Sequence, residues 1–109
     1  MLWTNPNPYT NFEAQTLTLD LNSYDYILIK SMPSTGDNSN YGYSMIPVNN
    51  VQNLMTSLSN ASGVSVGRTV IASTTGVNIG AGWNFTSPGW SAGYAIPVAI
   101  YGFKIGINL

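Results

Sequence analysis

The chain has 109 residues, with three Lys+Arg, four Asp+Glu and a formal charge of −1. An apolar content of 44% excludes a charge-extended disordered chain, and three cations are too few to neutralise a phosphate backbone, which sets nucleic acid aside as a partner. With no Cys and no His, thiol nucleophiles, disulfides, imidazole bases and zinc sites all drop out. Stability then rests on packing and hydrogen bonds within a length suited to one domain, residues 1–109. Polarity comes from neutral groups instead, since 13 Asn, 12 Ser and 10 Thr outnumber the charges five to one. The opening Met1-Leu2-Trp3-Thr4-Asn5-Pro6 lacks the basic segment and apolar run of a secretory signal.

In chain order, the first strong pattern is Thr16 to Leu21, where Leu17, Leu19 and Leu21 alternate with Thr16, Thr18 and Asp20. Period two predicts a half-buried strand, and Asn22-Ser23 supplies a turn. Tyr24 to Lys30 is apolar on both faces near its end, which predicts a central strand covered on two sides. Ser34 to Asn40 is a polar loop. Tyr41 to Val48 resumes extended structure with Tyr41, Tyr43 and Met45 on one side, and Pro47 belongs at an edge or bulge because it has no N–H.

Val64 to Ser73 alternates again, with Val64, Val66, Val70 and Ala72 sharing a face that Arg68 interrupts. Thr75-Gly76 turns the chain into a short strand, Val77 to Ile79. Gly80 through Gly93 reads as a glycine-rich loop that carries Trp83, Phe85 and Trp90. Ile96 to Ile105, rich in branched and aromatic residues, is the most β-prone segment. One stretch competes: Val51, Leu54, Met55 and Leu58 stand at helical spacing behind Asn49-Asn50, although the Asn, Thr and Ser between them are poor helix formers. The pattern as a whole predicts an all-β fold, an antiparallel β-sandwich of jelly-roll or immunoglobulin-like type with at most one short helix.

The chemistry-bearing residues are few. Glu13, Asp20, Asp25 and Asp37 are the only carboxylates. Asp20 and Asp25 flank a turn, but as strand-capping residues they keep a sheet edge soluble more readily than they form a paired-carboxylate site. No spaced oxygen-ligand series or phosphate-cradling loop follows any glycine, so neither a metal nor another cofactor is expected. Arg68 reads either as a fork for a carboxylate or hydroxyl ligand, or as a structural partner of Asp20 or Asp25. The sequons at Asn60-Ala-Ser62 and Asn84-Phe-Thr86 are expected by chance in so Asn-, Ser- and Thr-rich a chain. The aromatic residues are the richest feature. Trp3, Tyr26 and Phe103 are assigned to the core, whereas Trp83, Phe85, Trp90 and Tyr94 cluster in or beside the glycine-rich segment as candidate ligand-binding residues, because flat rings with polar handles stack on sugars and bury well at interfaces.

The two ends carry a resemblance. Leu2-Trp3-Thr4-Asn5-Pro6-Asn7-Pro8, then Phe12 to Leu21 with Tyr24-Asp25, is similar to small tail-associated domains of phages and prophages of gut and Gram-positive bacteria. Ile96-Pro97-Val98-Ala99-Ile100-Tyr101-Gly102-Phe103-Lys104 resembles the closing strand of that group, with Phe103 where Ile is usual, and Arg68-Thr69-Val70 with Thr75 to Gly80 resembles a middle strand pair. Residues 81–95, with Trp83 and Trp90, depart from the pattern. The resemblance implies a non-enzymatic virion component of tail-fibre, baseplate or head-decoration type, assembled in the bacterial cytoplasm. Its implied partners are other virion proteins, further copies of itself in a trimer or ring, and a host-surface glycan. A free-standing carbohydrate-binding module or lectin is the alternative. Low charge independently favours self-association, since little repulsion separates copies. Membrane insertion is not expected, because Pro and Gly interrupt the runs of about 9–11 residues that a spanning strand needs.

Overall fold

The computed structural model describes residues 1–35, 37, 40–58 and 63–105. The sequon at Asn60 and residues Gly36, Asn38 and Ser39 of the polar loop lie outside them. The strands in chain order are β1 (Trp3–Thr4), β2 (Gln15–Thr18), β3 (Tyr26–Ser34), β4 (Gly42–Pro47), β5 (Gln52–Leu58), β6 (Ser65–Ser73), β7 (Gly76–Ile79), β8 (Trp83–Asn84), β9 (Gly89–Trp90) and β10 (Tyr94–Phe103). They form two antiparallel sheets packed face to face. The first has the order β1-β10-β3-β4. In the second, β5 lines one side of β6, while β7 and β8 share its other side, with β2 beyond β7 and β9 beyond β8.

Alternation decides what is buried. In β3, Ile27, Ile29 and Ser31 face inward, and cross-strand pairing puts Ile46 opposite Ile27 and Ile100 opposite Ile29. In β6 the inward set is Val66, Arg68, Val70 and Ala72, and β7 adds Val77 and Ile79. These residues, with Leu21, Met32, Met55 and Ile96, form a continuous core. Buried Ser31 and Ser57 hydrogen-bond to each other through their hydroxyls, which joins the two sheets. At the β4–β5 edge the sheets come close: Ser44 Oγ accepts from the Thr56 N–H at 3.1 Å, and a Cβ on Gly42 would lie 2.5 Å from the Thr56 carbonyl oxygen.

Several expectations change. The segment at 51–58 is strand β5, not a helix, because its inward positions are Asn53, Met55 and Ser57; Leu54 and Leu58 point outward and are exposed. The helical spacing of its apolar residues is a coincidence of an inward and an outward set. Residues 80–93 are not an open loop, since Trp83–Asn84 and Gly89–Trp90 form a small hairpin that extends the second sheet. β3 is central in pairing but covered on one face only, which leaves Tyr26, Leu28 and Lys30 on the outer face. Tyr26 and Phe103 pair across that outer face, so neither belongs to the core. Trp3 does pack against the core, edge-on to Phe12 with centroids 6.0 Å apart. β10 is central, held between β1 and β3, and Pro97 sits at its register shift. Pro47 ends an edge strand, where its missing donor costs nothing.

Candidate functional site

The outer face of the second sheet carries the aromatic cluster. On β6, Gly67 lies between Trp83 of β8 and Thr56 of β5, and all three point away from the core. Trp90 of β9 stands opposite Trp83. The two indoles are 4.4 Å apart between centroids and inclined at 54°. Trp90 is 71% exposed and Phe85, in the hairpin turn, 44%. Beside Gly67, the residues Leu54, Thr69, Ala81, Trp83, Phe85 and Trp90 line a groove of about 290 Å³. A Cβ on Gly67 would lie 2.6 Å from the Met55 carbonyl oxygen and 3.0 Å from the Phe85 ring, so only glycine fits this position. Phe85 roofs a glycine that could not otherwise contribute to the face, a device that sheets use to cover weak positions.

Trp83, Phe85 and Trp90 are therefore brought together around one groove, and Tyr94 is not with them. Tyr94 opens β10 and packs against the core. Its backbone does contribute, through Arg68.

Arg68 is 1% exposed. Its side chain points into the sandwich, so it is neither a ligand fork nor a partner of Asp20 or Asp25. Nη1 donates to the Gly80 carbonyl at 3.0 Å, Nη2 to that of Ala92 at 3.0 Å, and Nε is shared between those of Tyr94 and Ala95 at 2.9 Å each. The guanidinium carbon lies 5.4 Å from the centre of the Phe12 ring. Burial lowers the Arg68 pKa to about 10, and the Glu13 carboxylate acts in the opposite direction; the group remains a cation at neutral pH. Burying a cation costs several kcal/mol unless donors are paired, and hydrogen bonds from a charged donor return roughly 1.5–3 kcal/mol each. Ala95 makes the shared contact possible. Its left-handed φ of 50° breaks the strand's alternation and turns two successive carbonyls to one side, at a cost of about 1–2 kcal/mol for a residue with a Cβ.

Gly80 and Ala92 flank the hairpin that carries both tryptophans, so one guanidinium clamps both of its ends. A further bond, from the Ser91 N–H to the Gly82 carbonyl at 3.0 Å, closes it. The turn is fixed by Asn84, whose Oδ1 accepts from the N–H groups of Thr86 and Ser87 at 2.9 Å each. This buried side chain is committed to an Asx turn and is not presented as a glycan acceptor.

A second hollow of about 280 Å³ adjoins the first, lined by Phe12, Glu13, Ala14, Ala81, Trp90, Ser91 and Ala92. Trp90 and Ala81 line both. Leu54, Gly67, Thr69 and Glu13 join the site without any sequence signal that marks them, since their relevance depends on strand pairing. The remaining carboxylates are elsewhere: Asp20 accepts from the Asn22 backbone and side-chain amides, and Asp25 Oδ2 accepts from the Ile105 N–H at 2.8 Å. Among the described residues no cluster of three or more metal-ligating side chains occurs, and no buried side-chain polar atom lacks a partner. Neither a protein-family model, nor a curated protein, nor a solved structure matches the chain.

Proposed function

We propose that this protein is a non-catalytic component of a phage particle that adheres to a host-surface glycan through the Trp83–Phe85–Trp90 groove. The observation that carries this reading is the pairing of a 71% exposed tryptophan with a second indole 4.4 Å away, beside a groove of about 290 Å³. Exposing so much ring to water has a hydrophobic cost, which binding a flat apolar surface recovers. Pyranose rings offer such a surface together with hydroxyls, and the Asn-, Ser- and Thr-rich chain suits hydroxyl partners because these need hydrogen bonds and not charge. The rigid strand pairing beneath the groove limits the ordering cost of binding.

The assignment to a particle rests on the resemblance of the two chain ends to phage tail-associated domains. These ends meet in the first sheet, where the opening motif supplies β1 and the closing motif supplies β10, and the two pair in register at Trp3–Ile100 and Thr4–Ala99, while the opening motif also supplies β2 of the second sheet. The departing segment 81–95 forms the candidate site on the other sheet. A conventional frame that carries a divergent tip is the arrangement that receptor selection requires. The outer face of the first sheet, with Tyr26, Leu28, Tyr43, Met45, Tyr101 and Phe103, suits docking to further copies or to other virion proteins.

Glycan-array binding by the wild type and by Trp83→Ala and Trp90→Ala tests the adhesion half. Binding by the parent that is lost in both variants supports it; variants that bind like the parent remove the groove as the site. Neighbouring genes separate the virion reading from a free-standing carbohydrate-binding module: tail genes favour the first and glycoside hydrolase genes the second.

A further inference from the structure

The geometry points to a binding site in two parts, in which Trp90 divides a first sugar position against Trp83 and Phe85 from a second beside Glu13, so that the ligand is a neutral glycan with at least two pyranose units on this face. The inference rests on the carbohydrate reading of the tryptophan groove and adds the size and charge of the ligand.

Trp90 lines both hollows, and each is of the order of one small-ligand pocket, near the lower end of the usual range of about 300–1,000 Å³. They differ in chemistry. The first is walled by Leu54, Trp83 and Phe85, with the Thr69 hydroxyl position as its main polar group, and so fits the apolar face of one ring. The second contains the Glu13 carboxylate, which is exposed and which no hydrogen bond among the described residues engages. A carboxylate accepts from sugar hydroxyls or from the N–H of an acylated amino sugar. Glu13 also stays anchored, because Phe12 donates its N–H to Ala92 at 2.9 Å and Ala92 is itself held by Arg68 at 3.0 Å. The two hollows meet at Ala81, whose short side chain leaves the join low. Ligands that place phosphate or a uronate in the second position meet the Glu13 charge with only buried Arg68 to offset it, and are disfavoured.

The test uses the full chain and two neutral ladders, N-acetylglucosamine to its trimer and glucose to cellotriose, followed by amide chemical-shift titration. The wild type is expected to bind the disaccharide of one ladder about tenfold more tightly than its monosaccharide, the size of one charge-assisted hydrogen bond. Glu13→Ala is expected to abolish that gain and leave monosaccharide affinity within about twofold, while Glu13→Gln, which keeps an acceptor, retains part of it. A disaccharide that ends in glucuronate should bind the wild type more weakly than its neutral counterpart, and equally in Glu13→Gln. Equal affinity for one and two rings, or a Glu13→Ala loss that falls equally on the monosaccharide, overturns the second position and leaves the groove reading standing. Failure of every member of both ladders, with no shift at Trp83 or Trp90, overturns the carbohydrate reading itself.

Discussion

The sandwich presents two outer faces built from similar residues, and they have different shapes. On the first sheet, Tyr26, Leu28, Lys30, Tyr43, Met45, Tyr101 and Phe103 occupy consecutive cross-strand positions, each with a large side chain. The result is a broad face, on which small Ala99 stands opposite Lys30 and Pro47 opposite Tyr26. On the second sheet an outward position is Gly67, which Phe85 covers, and Trp83, Phe85 and Trp90 wall a groove beside it. Apolar content therefore does not distinguish the two faces; the groove that Trp83, Phe85 and Trp90 enclose does. The interiors differ in parallel. Behind the first face the buried residues of β3 and β10 are uncharged, whereas behind the groove lies a buried cation whose donors are spent on the carbonyls of Gly80 and Ala92, which flank the hairpin, and of Tyr94 and Ala95 in β10.

The strongest way to break this comparison is to remove the clamp. Arg68→Met keeps an unbranched side chain in the core but takes the guanidinium donors from the Gly80, Tyr94 and Ala95 carbonyls, while Ala92 keeps the Phe12 N–H, at roughly 1–3 kcal/mol for each buried group left unpaired. A loss of about 3–5 kcal/mol is expected in denaturant unfolding, with weakening of the coupled circular-dichroism signal of the Trp83–Trp90 pair as the hairpin loosens. Arg68→Lys should fall between, because an ammonium carries the charge but cannot span four carbonyls in one plane. A variant as stable as the parent would show that the hairpin holds itself.

Next in size is Gly67→Val, which tests whether glycine at this position is what lets Phe85 take its place in the groove wall. Its branched side chain meets the Met55 carbonyl and the Phe85 ring, so overpacking should cost about 1–3 kcal/mol, and sugar binding should fail even at temperatures where the variant remains folded. Unchanged binding would locate the ligand away from Gly67.

The strand framework was largely legible because period two is written in single residues: Leu17, Ile27, Ile29, Val66, Val70 and Ile100 occupy the buried places that alternation predicts, or lean on them. Where the reading failed, a local pattern had two explanations and only pairing chose between them. Val51, Leu54, Met55 and Leu58 suit a helix by spacing, yet Val51 precedes β5, and Met55 faces inward while Leu54 and Leu58 face outward once β6 lies alongside. The candidate rings were legible by composition, but their grouping was not. Trp83, Phe85 and Trp90 converge because β8 and β9 pair back onto β6, while Tyr94, one residue outside the β10 kink at Ala95, turns toward the core. Arg68 was misread for the same reason. Its partners are main-chain carbonyls 12 to 27 residues away, and carbonyls have no sequence signature.

A smaller effect sharpens the interior half of the comparison. Ser31 and Ser57 satisfy each other in an otherwise apolar contact between the sheets. Ser31→Ala or Ser57→Ala alone should cost about 1–3 kcal/mol by leaving one buried hydroxyl unpaired, whereas the double variant should cost less than the sum, because both polar groups are then gone. Strict additivity would mean that each hydroxyl has another partner.

The smallest stability effects belong to the faces themselves, and there the two sheets should separate by function. Trp90 is 71% exposed and Met45 53%, so Met45→Lys is expected within about 0.5 kcal/mol of the parent, and Trp90→Ala within about 0.5–1.5 kcal/mol, the worth of its ring pair with Trp83. Their other consequences should not overlap. Trp90→Ala removes a wall from both hollows and should lower sugar affinity at least about tenfold, the loss of roughly 1.4 kcal/mol of contact, without changing the mass seen by light scattering. Met45→Lys places a charge in the broad face between Leu28 and the exposed Tyr43. It should shift self-association toward the monomer, since copies that dock there must bury that charge, and leave sugar titrations unchanged. If Met45→Lys weakens sugar binding while Trp90→Ala disperses the oligomer, the roles of the two faces are reversed, and the groove on the second sheet is a protein contact that has been taken for a ligand site.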